Sequence, residues 1–175
     1  VIDPKNKRDG KMDVAIKGKK IVRVAADINP AEASKVADVS GLYITPGLID
    51  IHVHVYHTRA PEGAPEGLSV VADHHSFRSG VTTMVDTGTA GAKHFLHFKN
   101  TVIDRAKTRI FAYINVVKSG MLGSFEHEAG EMDAELAASI VLAYPEECVG
   151  IKTAHYWTKE PWDEAHTPWL AIDRG

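Results

Sequence analysis

Pro46-Gly47-Leu48-Ile49-Asp50-Ile51-His52-Val53-His54 is the stretch on which the reading of this chain turns. Strand side chains alternate between faces with a period of two. Ile49, Ile51, Val53 and Val55 are therefore expected on one face, and Asp50, His52 and His54 on the other. An apolar row packed against helices, with two imidazoles opposite, is how a β/α barrel presents metal ligands inside its mouth. Neutral imidazole is the commonest protein ligand for zinc-like metals. A His-x-His pair by itself has a plainer explanation, two hydrogen-bonded histidines in an ordinary strand. Asp50 lies one layer deeper on the histidine face, too deep to reach the same ion, and reads as a supporting residue.

Around this stretch the pattern changes. Before it, Asp13-Val14-Ala15-Ile16 and Lys20-Ile21-Val22-Arg23-Val24-Ala25 flank a Lys17-Gly18-Lys19 turn and read as a hairpin. Residues 30–37 read as a short connector, and 41–56 as strand-rich. After it, strands and helices alternate. A helix is expected over 69–79, ended by Gly80 as its cap. A strand follows over 81–87, then a turn at 88–91. Residues 93–108 have helical spacing, with Phe95, Phe98, Val102 and Ile103 on one side. A third strand is expected over 109–117. A helix over 132–144 turns Leu136, Ile140 and Ala143 or Tyr144 inward, and Pro145 ends it. A fourth strand covers 149–154, and another helix begins at 168–173.

Four β/α units imply a parallel sheet. A doubly wound open sheet and a (β/α)8 barrel share this local pattern. Polar residues gathered at the C-terminal ends of the strands favour the barrel, and no glycine-rich dinucleotide fingerprint follows the first strand. The expected fold class is α/β, the N-terminal half of a (β/α)8 TIM-type barrel.

The second informative stretch is Val149-Gly150-Ile151-Lys152-Thr153-Ala154-His155-Tyr156. Val149 and Ile151 share a face, so Lys152 points into the barrel. A lysine there is costly unless it is paired or chemically altered. Burial disfavours the ammonium, and a neutral amine can add carbon dioxide to become a carbamate able to bridge two metals. The plain alternative is a lysine that snorkels past the strand end or pairs with Asp50.

Composition narrows the classes. The chain has 175 residues, 44% apolar and 25% charged, with a formal net charge of −3, ordinary for a globular domain. That charge gives no reason to expect nucleic acid or an anionic membrane as a partner. No apolar run approaches the roughly 18 residues needed to span a bilayer, and no signal peptide is visible. A single cysteine, Cys148, rules out an internal disulfide framework and suits a reducing cytoplasm. At the start of a strand it reads as a buried structural thiol. The chain opens without Met, in Val1-Ile2-Asp3-Pro4, and closes at Gly175, so both ends read as cut.

Taken together, the motifs resemble the amidohydrolase superfamily. The run Gly41-Leu42-Tyr43-Ile44-Thr45 leading into Pro46 to His54 is similar to the superfamily's opening, Phe77-Arg78-Ser79-Gly80-Val81-Thr82-Thr83 to its entry into strand two, and Gly150-Ile151-Lys152-Thr153-Ala154-His155-Tyr156 to its strand-four lysine motif. The last points to the dihydroorotase-like amidohydrolase/deacetylase branch. The resemblance implies part of a small β-sandwich over 1–45 and the first four β/α units of the hydrolase barrel over 46–175. It also implies two divalent metals, usually zinc, held by His52, His54 and a carboxylated Lys152 that bridges them. A hydroxide between the metals would attack an amide or ester carbonyl. The implied substrate is a small acylated molecule, or a cyclic amide of the dihydroorotase or hydantoinase kind. No arginine adjoins His54 to hold a substrate carboxylate, the next being Arg59, which leans toward the deacetylase kind. Homo-oligomers fit the resemblance.

The superfamily takes further ligands from strands five and six and a general-base aspartate from strand eight. These are expected beyond Gly175, so no catalytic residue is assigned here, and the chain alone is expected to be inactive, at most a non-catalytic binding piece. His155 and His166 are not promoted to the missing ligands, though His155 could line the mouth. His74, His75, His94, His97 and His127 read as surface residues. The 119–130 segment reads as a flexible connector, and Trp157, Trp162 and Trp169 as either a substrate wall or the cover of a core edge.

Overall fold

The computed structural model describes residues 1–58, 69–121, 126, 128–153, 163–164 and 167–175. They fall into two compact units, Val1–Gly47 and Leu48–Gly175.

In the first unit, β1 (Ile2–Asp3) pairs antiparallel with β2 (Arg8–Asp9) around a short 3-10 turn. The expected hairpin is present as β3 (Asp13–Lys17) and β4 (Lys20–Ala25), with Gly18 at φ +62° in the turn. Residues 41–47 were expected to be strand-rich, yet they carry no strand. Pro46 has no N–H to give to a ladder, and the next strand begins only at Leu48.

In the second unit, β5 (Leu48–Val53), β6 (Val81–Gly91), β7 (Arg109–Asn115) and β8 (Cys148–Lys152) form one parallel sheet in that order. The described helices are α1 (Ala72–His75), α2 (Phe95–Thr101), α3 (Ala134–Ala143) and α4 (Leu170–Arg174). None is long and apolar enough to cross a membrane. α1 and α2 are shorter than the periodicity suggested, because each passes into a 3-10 turn. Gly80 does close the first of these, at φ +75°.

Alternation on β7 explains the core. Ile110, Ala112 and Ile114 are buried in one cluster with Phe95 and Phe98 of α2 and Ala137 of α3. Met84 and Asp86 pair in register with Ile110 and Ala112 and so belong to the same helix-covered row. Cys148 joins this core, and burial, with the charge of Glu147 adding to it, pushes its thiol up to about 12.

Three expectations need correction. The buried stripe of α3 starts one residue later than expected: Ala137, Ile140, Val141 and Tyr144 meet the core, while Leu136 is 39% exposed. The Asp133 carboxylate caps the helix by accepting Leu136 N–H, and the packing of Ala137 into the core selects the buried face. β6 does not end at Thr87 but runs to Gly91, its ladder to β7 slipping between Thr87 and Gly91. The apolar row of β5 packs inward only at Val53 and Val55. Ile49 and Ile51 are 63% and 71% exposed, uncovered among the described residues. β5 is an outer strand of the four, and its pairing with β6 shifts between Asp50 and Val53.

At the opposite end of the sheet, Asp73 of α1 receives Lys107 N–H, Thr108 N–H and the Thr108 hydroxyl, with 2.7–3.1 Å contacts, just before β7 begins. Burial raises the Asp73 carboxyl, but these donors together outweigh it and hold the group below its ordinary value. A depressed folded-state value adds stability above the unfolded value of about 3.9, and that stability is lost as pH falls through the folded value. Asp73→Ala should cost about 2 kcal/mol at neutral pH. In denaturant titrations of the whole protein, the gap from wild type should close as the pH falls below about 4.

Candidate active site

The candidate site lies at the C-terminal ends of the parallel strands, around Gly88 and Thr89 of β6. His52 on β5 and His54 just past its end have their rings edge-to-face, with centroids 5.7 Å apart. Asp50 supports this stretch through its carboxylate, which accepts His52 N–H at 3.1 Å.

β6 contributes the segment Asp86-Thr87-Gly88-Thr89. Asp86 is fully buried, and its Oδ2 accepts Val55 N–H at 2.8 Å and the Thr89 hydroxyl at 2.9 Å, while Oδ1 accepts Thr89 N–H at 2.8 Å. Burial pushes its carboxyl up, against these donors. Thr89 Oγ1 also lies 2.7 Å from His54 Nδ1, so β6 holds both the backbone beyond the pair and one of its rings.

Lys152 ends β8 and reaches back across β7. A Cβ on Gly88 would sit 2.9 Å from Lys152 Cδ, so the lysine stem lies against the bare glycine. Its Nζ donates to Met121 Sδ at 3.8 Å, and Met121 N–H donates to Thr89 O at 3.0 Å. The pairing with Asp50 weighed from the sequence is not what the structure shows. Burial lowers the Lys152 amine's pKa, and the charges of Glu126 and Asp86 oppose that shift. Asn115, fully buried beside Lys152 in register, donates through Nδ2 to Gly88 O at 3.0 Å and to Glu126 Oε1 at 3.1 Å.

The donor chemistry suits a divalent metal: two imidazoles on one strand face, and an amine whose protonated form burial disfavours. Among the described residues, no three His, Cys, Asp or Glu side chains are placed to hold a metal. Among the described residues, the side chain that could add a third donor beside the two imidazoles is Lys152.

The sequence reading missed Asp86, Thr89, Asn115 and Glu126. Asp86 carries a signal in hindsight, an acid in a run of otherwise apolar or small strand residues, Val81 to Gly91. Nothing local marks Asn115 or Glu126, which take their roles from contacts across strands. Two histidines read as surface residues are not. His94 is 4% exposed, and His97 is half-buried with Nδ1 at 2.7 Å from the Tyr56 hydroxyl. His74 and His75 are exposed, as expected. Arg59, His127, His155, Trp157, Trp162 and His166 lie outside the described residues. Trp169 is 64% exposed.

No protein-family model matches the chain. Among curated proteins, a deacetylase of Enterococcus faecalis is 32% identical over 143 residues, covering 81% of this chain and 37% of that protein. A dihydroorotase of Streptococcus pyogenes is 38% identical over 120 residues, covering 61% of this chain and 28% of that protein. Among solved structures, a dihydroorotase aligns with a TM-score of 0.62 and 25% identity over 82% of this chain and 38% of its own. An adenine deaminase aligns with a TM-score of 0.59 and 27% identity over 81% of this chain and 37% of its own. The chain thus spans about a third of the length of the relatives it matches.

Gly88 is the position where backbone and site meet. Its φ is +77°, a conformation that L side chains rarely adopt, and any Cβ would press on Lys152. Gly88→Ala should destabilise the whole protein by about 1–3 kcal/mol in denaturant titrations.

Proposed function

The chain belongs to the amidohydrolase superfamily, and from that premise we propose that the whole protein is a metal-dependent hydrolase of amide or ester bonds, of the deacetylase or N-acyl hydrolase kind. The parallel sheet described above is the N-terminal part of its (β/α)8 barrel. One observation carries the reading: His54 meets Thr89 and the Lys152 stem lies against Gly88, so residues from the outer strand ends of the sheet reach the same short segment of β6, at the face where such barrels place their chemistry.

In this reading His52 and His54 offer imidazole lone pairs to the first metal. Lys152 acts after its neutral amine has formed an N–C bond to carbon dioxide and released a proton, which leaves a carbamate. The burial that lowers its pKa enlarges the neutral fraction able to react. Bound there, divalent metal, zinc in the simplest case, supplies Lewis acidity toward the substrate carbonyl and lowers the pKa of water. Gly88 leaves room for the lysine stem, and Asn115 fixes the Gly88 carbonyl beneath it. The chain by itself, with the three donors named here, is expected to bind metal weakly and to be inactive.

A second reading has its own support. The Streptococcus pyogenes dihydroorotase has the higher identity of the two relatives, 38% against 32%. A cyclic-amide hydrolase therefore stands beside the deacetylase. Assaying the whole protein on N-acetyl amino acids and on dihydroorotate separates them, since turnover of only one class retires the other reading.

His52→Ala, His54→Ala and Lys152→Ala should each lower kcat/KM by more than about 100-fold, the most that loss of a supporting residue around a metal typically costs. Short carboxylic acids should restore part of the activity in Lys152→Ala alone. Full activity of Lys152→Ala without additive would remove the carbamate from the reading.

A further inference from the structure

We propose that Thr89, itself fixed by Asp86, is a positioning residue that holds His54 as the tautomer protonated on Nδ1, so that Nε2 is the nitrogen offered to metal. The inference rests on the metallohydrolase reading above and adds to it residues from a strand that supplies no ligand.

The count of available protons fixes the tautomer. Each Asp86 oxygen accepts a backbone N–H, an arrangement that favours the ionised form against burial; a carboxylate accepts and does not donate, and a hydroxyl has a single proton. Asp86 receives Val55 N–H, Thr89 N–H and the Thr89 hydroxyl, all within 2.9 Å. With its proton committed to Asp86 Oδ2, Thr89 Oγ1 meets His54 Nδ1 at 2.7 Å as an acceptor. Nδ1 then carries the hydrogen and Nε2 the lone pair.

The same carboxylate holds Val55 N–H, next in sequence to His54, so the ring and the backbone beside it share one anchor. Asp86 and Thr89 are 0% and 2% exposed, which shields the relay from competing water. Thr89 O accepts Met121 N–H, and Met121 contacts Lys152, so displacing Thr89 would disturb both sides of the site. A hydroxyl, rather than a carboxylate or carbonyl, touching the imidazole makes the contact easy to remove without changing charge.

The test uses the whole protein as wild type, Thr89→Val and Thr89→Ser. Thr89→Val keeps the shape and loses the hydroxyl, and Thr89→Ser keeps the hydroxyl. Two readouts are taken: zinc affinity by competition with a chromophoric chelator, and the imidazole nitrogen shifts of His54 in metal-free protein. The shifts are recorded at about pH 8, above the ordinary histidine value of about 6.5. The proposal expects the wild-type proton on Nδ1. Thr89→Val should lose that preference and bind zinc about 10–100-fold more weakly, while Thr89→Ser should match wild type in both. A wild-type proton on Nε2, or Thr89→Val equal to wild type in both readouts, overturns the positioning role. If Thr89→Val does not fold, Thr89→Ser and the wild-type tautomer decide. Wild type that shows the Nδ1–H tautomer but binds no zinc overturns the metallohydrolase reading and the metal part of this proposal. The hydrogen-bond relay alone would then survive.

Discussion

A buried carboxylate at the end of β6 ties the functional end of this sheet together. Asp86 sits in the row of β6 that faces the helices, where an acid with no partners would cost several kcal/mol. It is tolerated because backbone and hydroxyl donors surround it, Val55 N–H from one strand end and two groups of Thr89 from another. β5 needs this tie. Among the described residues it pairs with β6 alone, and its register shifts between Asp50 and Val53, where His52 lies. Asp86 restores a fixed connection just past the point where the ladder loosens. Among the described residues, no buried side-chain nitrogen or oxygen lacks a partner, which is the condition for a polar network to rigidify rather than weaken a core.

The two faces of β7 divide the labour. Ile110, Ala112 and Ile114 go to the helices, and Asn115 goes to the site, its amide spanning Gly88 O and Glu126. A register difference of one residue would exchange these faces, so the packing of α2 and α3 against the even-numbered positions also decides what stands beside Lys152. Under the proposed function, stability and chemistry are thus separated along the same strands. Asp73 and Thr108 secure the N-terminal ends, and Asp86, Thr89, Asn115 and Lys152 occupy the C-terminal ones. This is the usual division in parallel β/α architectures.

The exposed face of β5 belongs to the same logic. Ile49 and Ile51 are chosen as core residues would be, yet stand uncovered among the described residues. The relatives are about three times as long as the portions of them that this chain matches. The exposure of Ile49 and Ile51 follows the ladder: Ile49 stands opposite Thr83 rather than Met84, off the helix-covered row, and the pairing shifts before Val53 rejoins that row opposite Asp86.

Much of this was present in the sequence because it follows from local rules. The β3–β4 hairpin, the four β/α units, Gly80 as a cap and Cys148 as a buried thiol rest on periodicity, turn chemistry and residue type, which act over a few residues. His52, His54 and Lys152 stood out because such side chains are unusual on strands that otherwise run apolar. The length of β6 beyond Thr87, the phase of α3 and the burial of His94 were decided elsewhere, by ladder hydrogen bonds and packing partners distant in the chain. So were the roles of Asp86, Thr89, Asn115 and Glu126. A hydrogen bond between residues 35 positions apart, such as that of His54 and Thr89, leaves no trace in local spacing. The sequence determined which residues could do chemistry. Tertiary structure alone decided which of them meet, because contact depends on register and curvature that only the assembled sheet possesses.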